Sequence, residues 1–292
     1  MRYARQVSRL RPIVLGSLLA AFVLSVAVGP GVADAATVPF LAHQAVYDLS
    51  LKKARGNAGG VNAVRGRILY RFAGTSCEGY TTEFRQVSEL ESGENKTTLS
   101  DLRSTSWEDA EGKSYRFNIE SRMNAGDATQ VDGIAERSDN GITVKLKQPV
   151  VKTFTIGKEV VFPTEQVRRI IEAAKEGKTI LELAIYDGSD GGEKVYNTLT
   201  VIGQPIPGDR APAAPDASTS NGQLKSLTRW PVTVSYYDRS VKQDAGEQTP
   251  VYAMSFELYE DGVSRALVLD YNDFVIAGTM GEFNIKDSKP CK

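Results

Sequence analysis

Two cysteines, one histidine and a few clustered carboxylates are the side chains of this 292-residue chain that could do chemistry. Cys77 and Cys291 stand 214 positions apart. In an oxidising space an isolated pair reads as one disulfide, and the alternative is two free thiols. Such a bond closes a long loop and contributes on the order of 5 kcal/mol in the chain-entropy picture. It also fastens a C-terminal tail that would otherwise fray. His43 is the single histidine, so a Ser-His-Asp or Cys-His centre has to use it. Its position at the start of the first strand reads as a surface or strand-edge histidine. Histidine-rich zinc sites are excluded by count, and no His-Glu-x-x-His occurs.

Paired carboxylates can work as acid and base. Glu257, Glu260 and Asp261 cluster, as do Glu89, Glu91 and Glu94. Glutamates on the outer face of strands are the plainer explanation. Gly112-Lys113-Ser114 and Gly177-Lys178-Thr179 end like a phosphate-binding loop, but Trp107 and Glu172 stand where its first glycine belongs. Asp187-Gly188-Ser189-Asp190-Gly191-Gly192-Glu193 departs from calcium-loop spacing and reads as a polar hairpin loop. Asn95-Lys96-Thr97 is a glycosylation sequon by letter only. No catalytic set, cofactor site or metal site emerges from these residues, and the expectation is a non-enzymatic protein without a cofactor.

The elements that would position these groups are strands. Ala45, Tyr47, Leu49 and Leu51 alternate with mostly polar neighbours; so do Ile68, Tyr70 and Phe72, then Tyr115, Phe117 and Ile119, and Ile142, Val144 and Leu146. Leu181, Leu183 and Ile185 continue the pattern, followed by Trp230, Val232, Val234 and Tyr236. A period of two puts one face in a core and one in water, as in antiparallel sheet. Turn signals at Asp139-Asn140-Gly141, Asp187-Gly188 and Glu260-Asp261-Gly262 separate the runs, giving about fourteen strands. One segment has a helical period: Val167, Ile170, Ile171 and Ala174 form one stripe over residues 164–176, with Thr164 as cap and Gly177 as stop. Continuous apolar stretches at Ala266–Leu269 and Phe274–Ala277 suggest strands covered on both faces. Residues 203–224, rich in Pro and Ala, read as a flexible insert within one domain. The inward tyrosines and phenylalanines make core or line a cavity for an apolar ligand.

The first 35 residues have the form of a cleaved secretory signal. Arg2, Arg5, Arg9 and Arg11 precede an uncharged run from Ile13 to Val28, and Ala33-Asp34-Ala35 offers the cut. The run is short for a membrane anchor of roughly 20 apolar residues, and no cysteine stands at the cut to support a lipoprotein. The mature part, 36–292, would carry 31 basic and 35 acidic side chains, a net charge near −4. That mild charge does not suit nucleic-acid binding. No later stretch approaches membrane-span length, so a soluble monomer is expected.

The chain from Leu41-Ala42-His43-Gln44-Ala45-Val46-Tyr47 to Cys291 resembles the cell-envelope integrity protein EipB family, formerly a domain of unknown function. The resemblance is carried by Val131-Asp132-Gly133, by Phe162-Pro163-Thr164-Glu165 leading into the helix, by Thr228-Arg229-Trp230-Pro231-Val232, and by Gly281-Glu282-Phe283. It implies a periplasmic protein built as a spiral-like open β-barrel, with a disulfide that Cys77 and Cys291 would supply. It implies a role in envelope integrity under stress, and a tetratricopeptide-repeat protein as partner. It also implies an architecture like that of periplasmic lipoprotein and lipid carriers, which keeps open a lipid or other apolar ligand. The family offers no catalytic residues to carry over. The expectation is therefore an all-β, mainly antiparallel open barrel of about 14 strands with one short amphipathic helix, binding a protein partner or envelope component on a curved sheet.

Overall fold

The structure, a computed structural model, describes residues 38–55, 60–93, 96–240, 248–288 and 291. The expected signal segment, Glu94 and Asn95 lie outside the described residues.

The alternating runs become one antiparallel sheet of fourteen strands. The first eight are β1 (His43–Ala54), β2 (Val61–Thr75), β3 (Gly79–Ser92), β4 (Lys96–Glu108), β5 (Ser114–Met123), β6 (Thr129–Ser138), β7 (Gly141–Gln148) and β8 (Lys152–Ile156). Helix α1 (Pro163–Lys175) follows. The rest are β9 (Ile180–Ile185), β10 (Tyr196–Ile202), β11 (Arg229–Asp238), β12 (Tyr252–Tyr259), β13 (Ser264–Asp270) and β14 (Phe274–Ile285). The sheet order is 8-7-6-5-4-3-2-1-14-13-12-11-10-9. The chain starts in the middle of the sheet and walks out to one edge. It crosses to the other edge through α1, then walks back until β14 lies beside β1. Each step joins antiparallel neighbours except the crossing, and the β10–β11 step runs through a long strap, residues 203–228. The sheet stays open, with β8 and β9 as its terminal strands, and a single parallel bridge from Val161 to Ile185 links the segment after β8 to β9.

Period two maps onto burial as expected. Along β1, His43, Ala45, Tyr47 and Leu49 are buried and their neighbours are not. In β7, Ile142, Val144 and Leu146 point inward, and a two-residue turn at Asp139-Asn140 sets the register with β6. The inward side chains form two main cores. The larger gathers Tyr47, Leu49, Trp230, Val232, Leu258, Ile276 and Met280 around the helix. The second gathers Tyr115, Phe117, Ile142, Val144, Phe162 and Tyr186.

Helix α1 lies inside the curve of the sheet. Ile170, Ile171, Ala173 and Ala174 pack in the larger core, and each isoleucine contributes about 1.5–3 kcal/mol by leaving water. The concave side is thus filled by the protein itself in this half. The helix starts differently from the expected Thr164 cap. Phe162 is the N-cap residue and makes no side-chain cap bond, and Pro163 takes the first helical position. Thr164 is therefore already inside the first turn. Its amide and that of Glu165 donate to the two oxygens of Glu108, on β4, at 2.7 and 2.8 Å. A carboxylate suits this end because the helix dipole is positive there. The far end closes on Gly177, in the left-handed region at φ 75°; Gly177 and Lys178 donate to Ala174 and Ala173.

Three other expectations change. His43 begins β1 but is 2 % exposed, because the rings of Tyr70, Phe72 and Phe283 enclose it. Strand β13 is not covered on both faces: Arg265, Leu267 and Leu269 are buried, while Ala266 is exposed. Residues 203–224, read as a flexible insert, are tied to the sheet along their length. Ile206 exchanges two backbone bonds with Arg229, and Arg265 holds Asp216 at 2.9 Å. Ala217 donates to the Met280 carbonyl at 3.0 Å. That last bond fills a gap, because β13 pairs with β14 only from Leu267 onward. The strap repairs the sheet where two strands part.

Candidate functional site

Cys77 lies in the β2–β3 turn, and Cys291 follows β14. The two are joined, with Cα atoms 5.8 Å apart. The bond ties the C-terminal tail to a turn two strands away, because β14, β1 and β2 are neighbours.

The candidate acids do not converge. Glu257 accepts from Arg229 Nε at 2.7 Å and from Arg265 Nη1 at 2.6 Å. Burial pushes its pKa up, but the two guanidinium groups outweigh this and hold it below the usual range. Glu260 accepts the Thr228 amide at 3.1 Å. Asp261 sits in the β12–β13 turn, accepts the Val263 amide, and is pushed by burial up to about 6. Glu89 and Glu91 share the exposed Arg65 on the outer face. One lowered and one raised carboxyl could in principle divide base and acid work. Here Glu257 instead neutralises two buried arginines and Asp261 shapes a turn. Gly112-Lys113-Ser114 forms the β4–β5 turn, and Gly177-Lys178-Thr179 is the helix stop. The Asp187–Glu193 segment is the loop of the β9–β10 hairpin, as expected, and holds a short 3-10 turn; Tyr115 and Tyr186 donate to its Asp187 and Gly192 carbonyls, anchoring it on the second core. Among the described residues no three His, Cys, Asp or Glu side chains gather to hold a metal.

Sequence reasoning missed Glu108. It is 3 % exposed, and burial pushes its pKa up to about 7 against the pull of the Thr164 and Glu165 amides. Its neighbour Glu165 is paired with Arg137 and Arg169. This is an ionic seam joining β4, β6 and α1.

Also missed was the composition of the inner face where the two cores meet. Directly opposed residues share a face, and the register aligns Tyr70, Phe84, Ser104 and Ile119 across β2–β5. The next row aligns Ile68, Gln86, Leu102 and Ser121. These inward positions are half-buried apart from Ile68, and Leu102 packs in neither core. Gln86 on β3 and Ser104 on β4 thus set an amide and a hydroxyl among apolar side chains there. Across from them Tyr236, Tyr252, Tyr271 and Phe274 form a series of ring contacts, with centroids 5.7, 5.1 and 5.1 Å apart, the first two pairs tilted and the last stacked. Burial raises the Tyr271 hydroxyl, and the Gln86 side chain partly offsets the rise. Such a surface can contact an uncharged molecule with an apolar body and hydrogen-bonding groups.

The family model described as EipB-like matches residues 34–287. The chain belongs to the EipB-like family. A curated relative, the cell envelope integrity protein EipB of Brucella abortus (strain 2308), is 34 % identical over 260 residues, covering 88 % of this chain and 89 % of that one. A crystal structure described as a beta-barrel-like protein of domain of unknown function DUF1849, from Brucella abortus, matches with a TM-score of 0.76 and 30 % identity. It covers 86 % of this chain and all of the other. The EipB-like open barrel expected from sequence is the fold observed. Among the described residues no helix is long and apolar enough to cross a membrane.

Proposed function

We propose that this EipB-like protein is exported to the periplasm, with residues 1–35 removed, and supports cell-envelope integrity there by binding rather than by catalysis. The observation that carries the reading is the engagement of its acids: Glu108 and Glu165 hold the helix start and its ionic seam, and Glu257 holds two buried arginines. The named role of its Brucella relative supports the envelope setting. The curved sheet would engage a protein partner, with a tetratricopeptide-repeat protein as the class to test first. Because α1 fills much of the concave side, the partner is offered the outer face and the sheet edges. Deleting the gene and restoring it with variants tests this. Detergent sensitivity that appears on deletion and disappears on complementation supports the reading; unchanged sensitivity on deletion sinks it.

The half-open inner rows favour a second reading, a carrier of a lipid or other apolar ligand. Leu102 without a core and the Tyr236–Phe274 ring series are the surfaces such a ligand would cover. Native mass spectrometry of protein purified from its own host decides between them: a stoichiometric lipid makes it a carrier, and consistently empty protein removes that reading.

A further inference from the structure

We propose that the free edge of β9 takes up an extended segment of a partner protein as an added strand; this deepens the binding reading above. The argument begins with backbone geometry. Ile202 donates to the Thr179 carbonyl at 2.8 Å. In an antiparallel ladder, bonded and non-bonded pairs alternate. Thr179, Leu181, Leu183 and Ile185 therefore turn their backbone groups toward β10, and Ile180, Glu182 and Ala184 turn theirs to the open side. Two bonds agree with this: Val161 donates to Ala184 O at 2.8 Å, and Tyr186 donates to Val161 O at 3.0 Å. The chain thus already adds one residue to this edge. Beyond Val161, the N–H and C=O of Ile180 and Glu182 have no backbone partner among the described residues.

Open edges are usually blunted by lysine, proline, bulges or a cover. The other terminal strand, β8, has such devices: it is five residues long, begins with Lys152, follows Pro149, and is held by the Lys152–Glu193 pair. Strand β9, Ile-Leu-Glu-Leu-Ala-Ile, has no lysine, proline or bulge. Ile180 is 56 % exposed and its cross-strand neighbour Val201 47 %. A shallow groove of about 510 Å³ lies over the outer face of β9–β11 next to this edge, lined by Glu182, Ala184, Asn197, Leu199, Tyr237 and Gln248. Apart from Arg229, which is buried and paired with Glu257, the outward positions of β9–β11 carry one charge, Glu182, whereas Arg65, Arg67, Arg71, Glu83, Arg85 and Arg103 crowd the outer face of β2–β4. A fitting segment is extended and mostly uncharged, with a Lys or Arg opposite Glu182. A second copy fits less well, because the two-fold register that uses both free residues sets each Glu182 opposite an Ile180 and brings no positive charge to it.

The test uses the whole mature protein and, as probe, a capped synthetic peptide of alternating Thr and Val with a central Lys. Wild type should bind it saturably by fluorescence anisotropy, with slowed exchange of the Ile180 and Glu182 amides. Glu182→Pro removes an N–H that the fold does not use, and proline is tolerated on an edge strand. It should melt within about 2 °C of wild type and bind the peptide about tenfold more weakly or worse. Should Glu182→Pro fail to fold, Glu182→Lys carries the test by preferring a peptide with a central Glu. Equal binding by wild type and Glu182→Pro, or unchanged exchange at saturating peptide, overturns the proposal. So does a concentration-dependent dimer in wild type that Glu182→Pro abolishes. In cells, folded Glu182→Pro should fail to restore detergent resistance. Full restoration overturns the partner role, whereas a gene deletion without phenotype sinks the envelope reading and leaves the peptide result standing.

Discussion

Asp216 and Arg265 form an ion pair at 2.9 Å with side chains 2 % and 3 % exposed, one on the Pro/Ala-rich strap and the other on β13. Arg265 also donates to Glu257 and to the Ala214 carbonyl. Breaking a buried pair from one side leaves an uncompensated charge and costs about 3–5 kcal/mol. Asp216→Ala should therefore lower the urea midpoint sharply and open residues 203–224 to proteases. A midpoint shift worth less than about 1 kcal/mol would show that the strap is dispensable.

That pair also marks where sequence reading stops. Strand period, turn residues and the Ile170/Ile171 stripe are local, and all were legible. The strap's order rests on residues 49 positions apart, and the α1 cap on residues 56 apart. Composition sees only the prolines and alanines, and propensity sees only Thr164. The free edge of β9 was hidden for a related reason. Leu181, Leu183 and Ile185 announce a strand, but nothing local says that it ends the sheet. His43 was misjudged because its burial comes from Phe283, which arrives with the last strand.

The Cys77–Cys291 bond spans 214 residues. Long loops gain most in principle, although measured gains track loop length weakly. Cys77→Ser should lower the melting temperature by several degrees and make the tail after β14 the first site of proteolysis. An unchanged melting temperature with and without reductant would show that the bond is absent or idle.

Glu108 provides a pH test. Burial pushes its folded pKa up to about 7 from an ordinary value of 4.5. Between those values the folded chain binds a proton that the unfolded chain has lost, so this group's contribution to stability falls as pH rises from about 4.5 to about 7 and is flat above. Asp261, raised to about 6, slopes the same way. Comparison with Glu108→Gln isolates the first. The variant loses one cap acceptor, costing about 1 kcal/mol, and its deficit relative to wild type should shrink as pH rises toward 7. Urea unfolding at pH 5, 6, 7 and 8 checks this; a deficit constant across pH would place the titration elsewhere.

His43 should act with the opposite sign. Its Nδ1 lies 2.7 Å from the Leu41 carbonyl, its Nε2 is buried without a partner among the described residues, and burial holds its pKa below the ordinary 6.5. The folded state therefore keeps the ring neutral while the unfolded chain takes up a proton. The stability this provides is present above about 6.5 and is lost as pH falls further. Phenylalanine would suit the cage of Tyr70, Phe72 and Phe283 and removes the orphan nitrogen, although it leaves the Leu41 carbonyl unpaired. His43→Phe should thus be close to wild type, within about 1 kcal/mol, at pH 8, and gain on it steadily from pH 7 to pH 5. A stability difference that does not move over that range would mean that His43 titrates alike in the folded and unfolded chains.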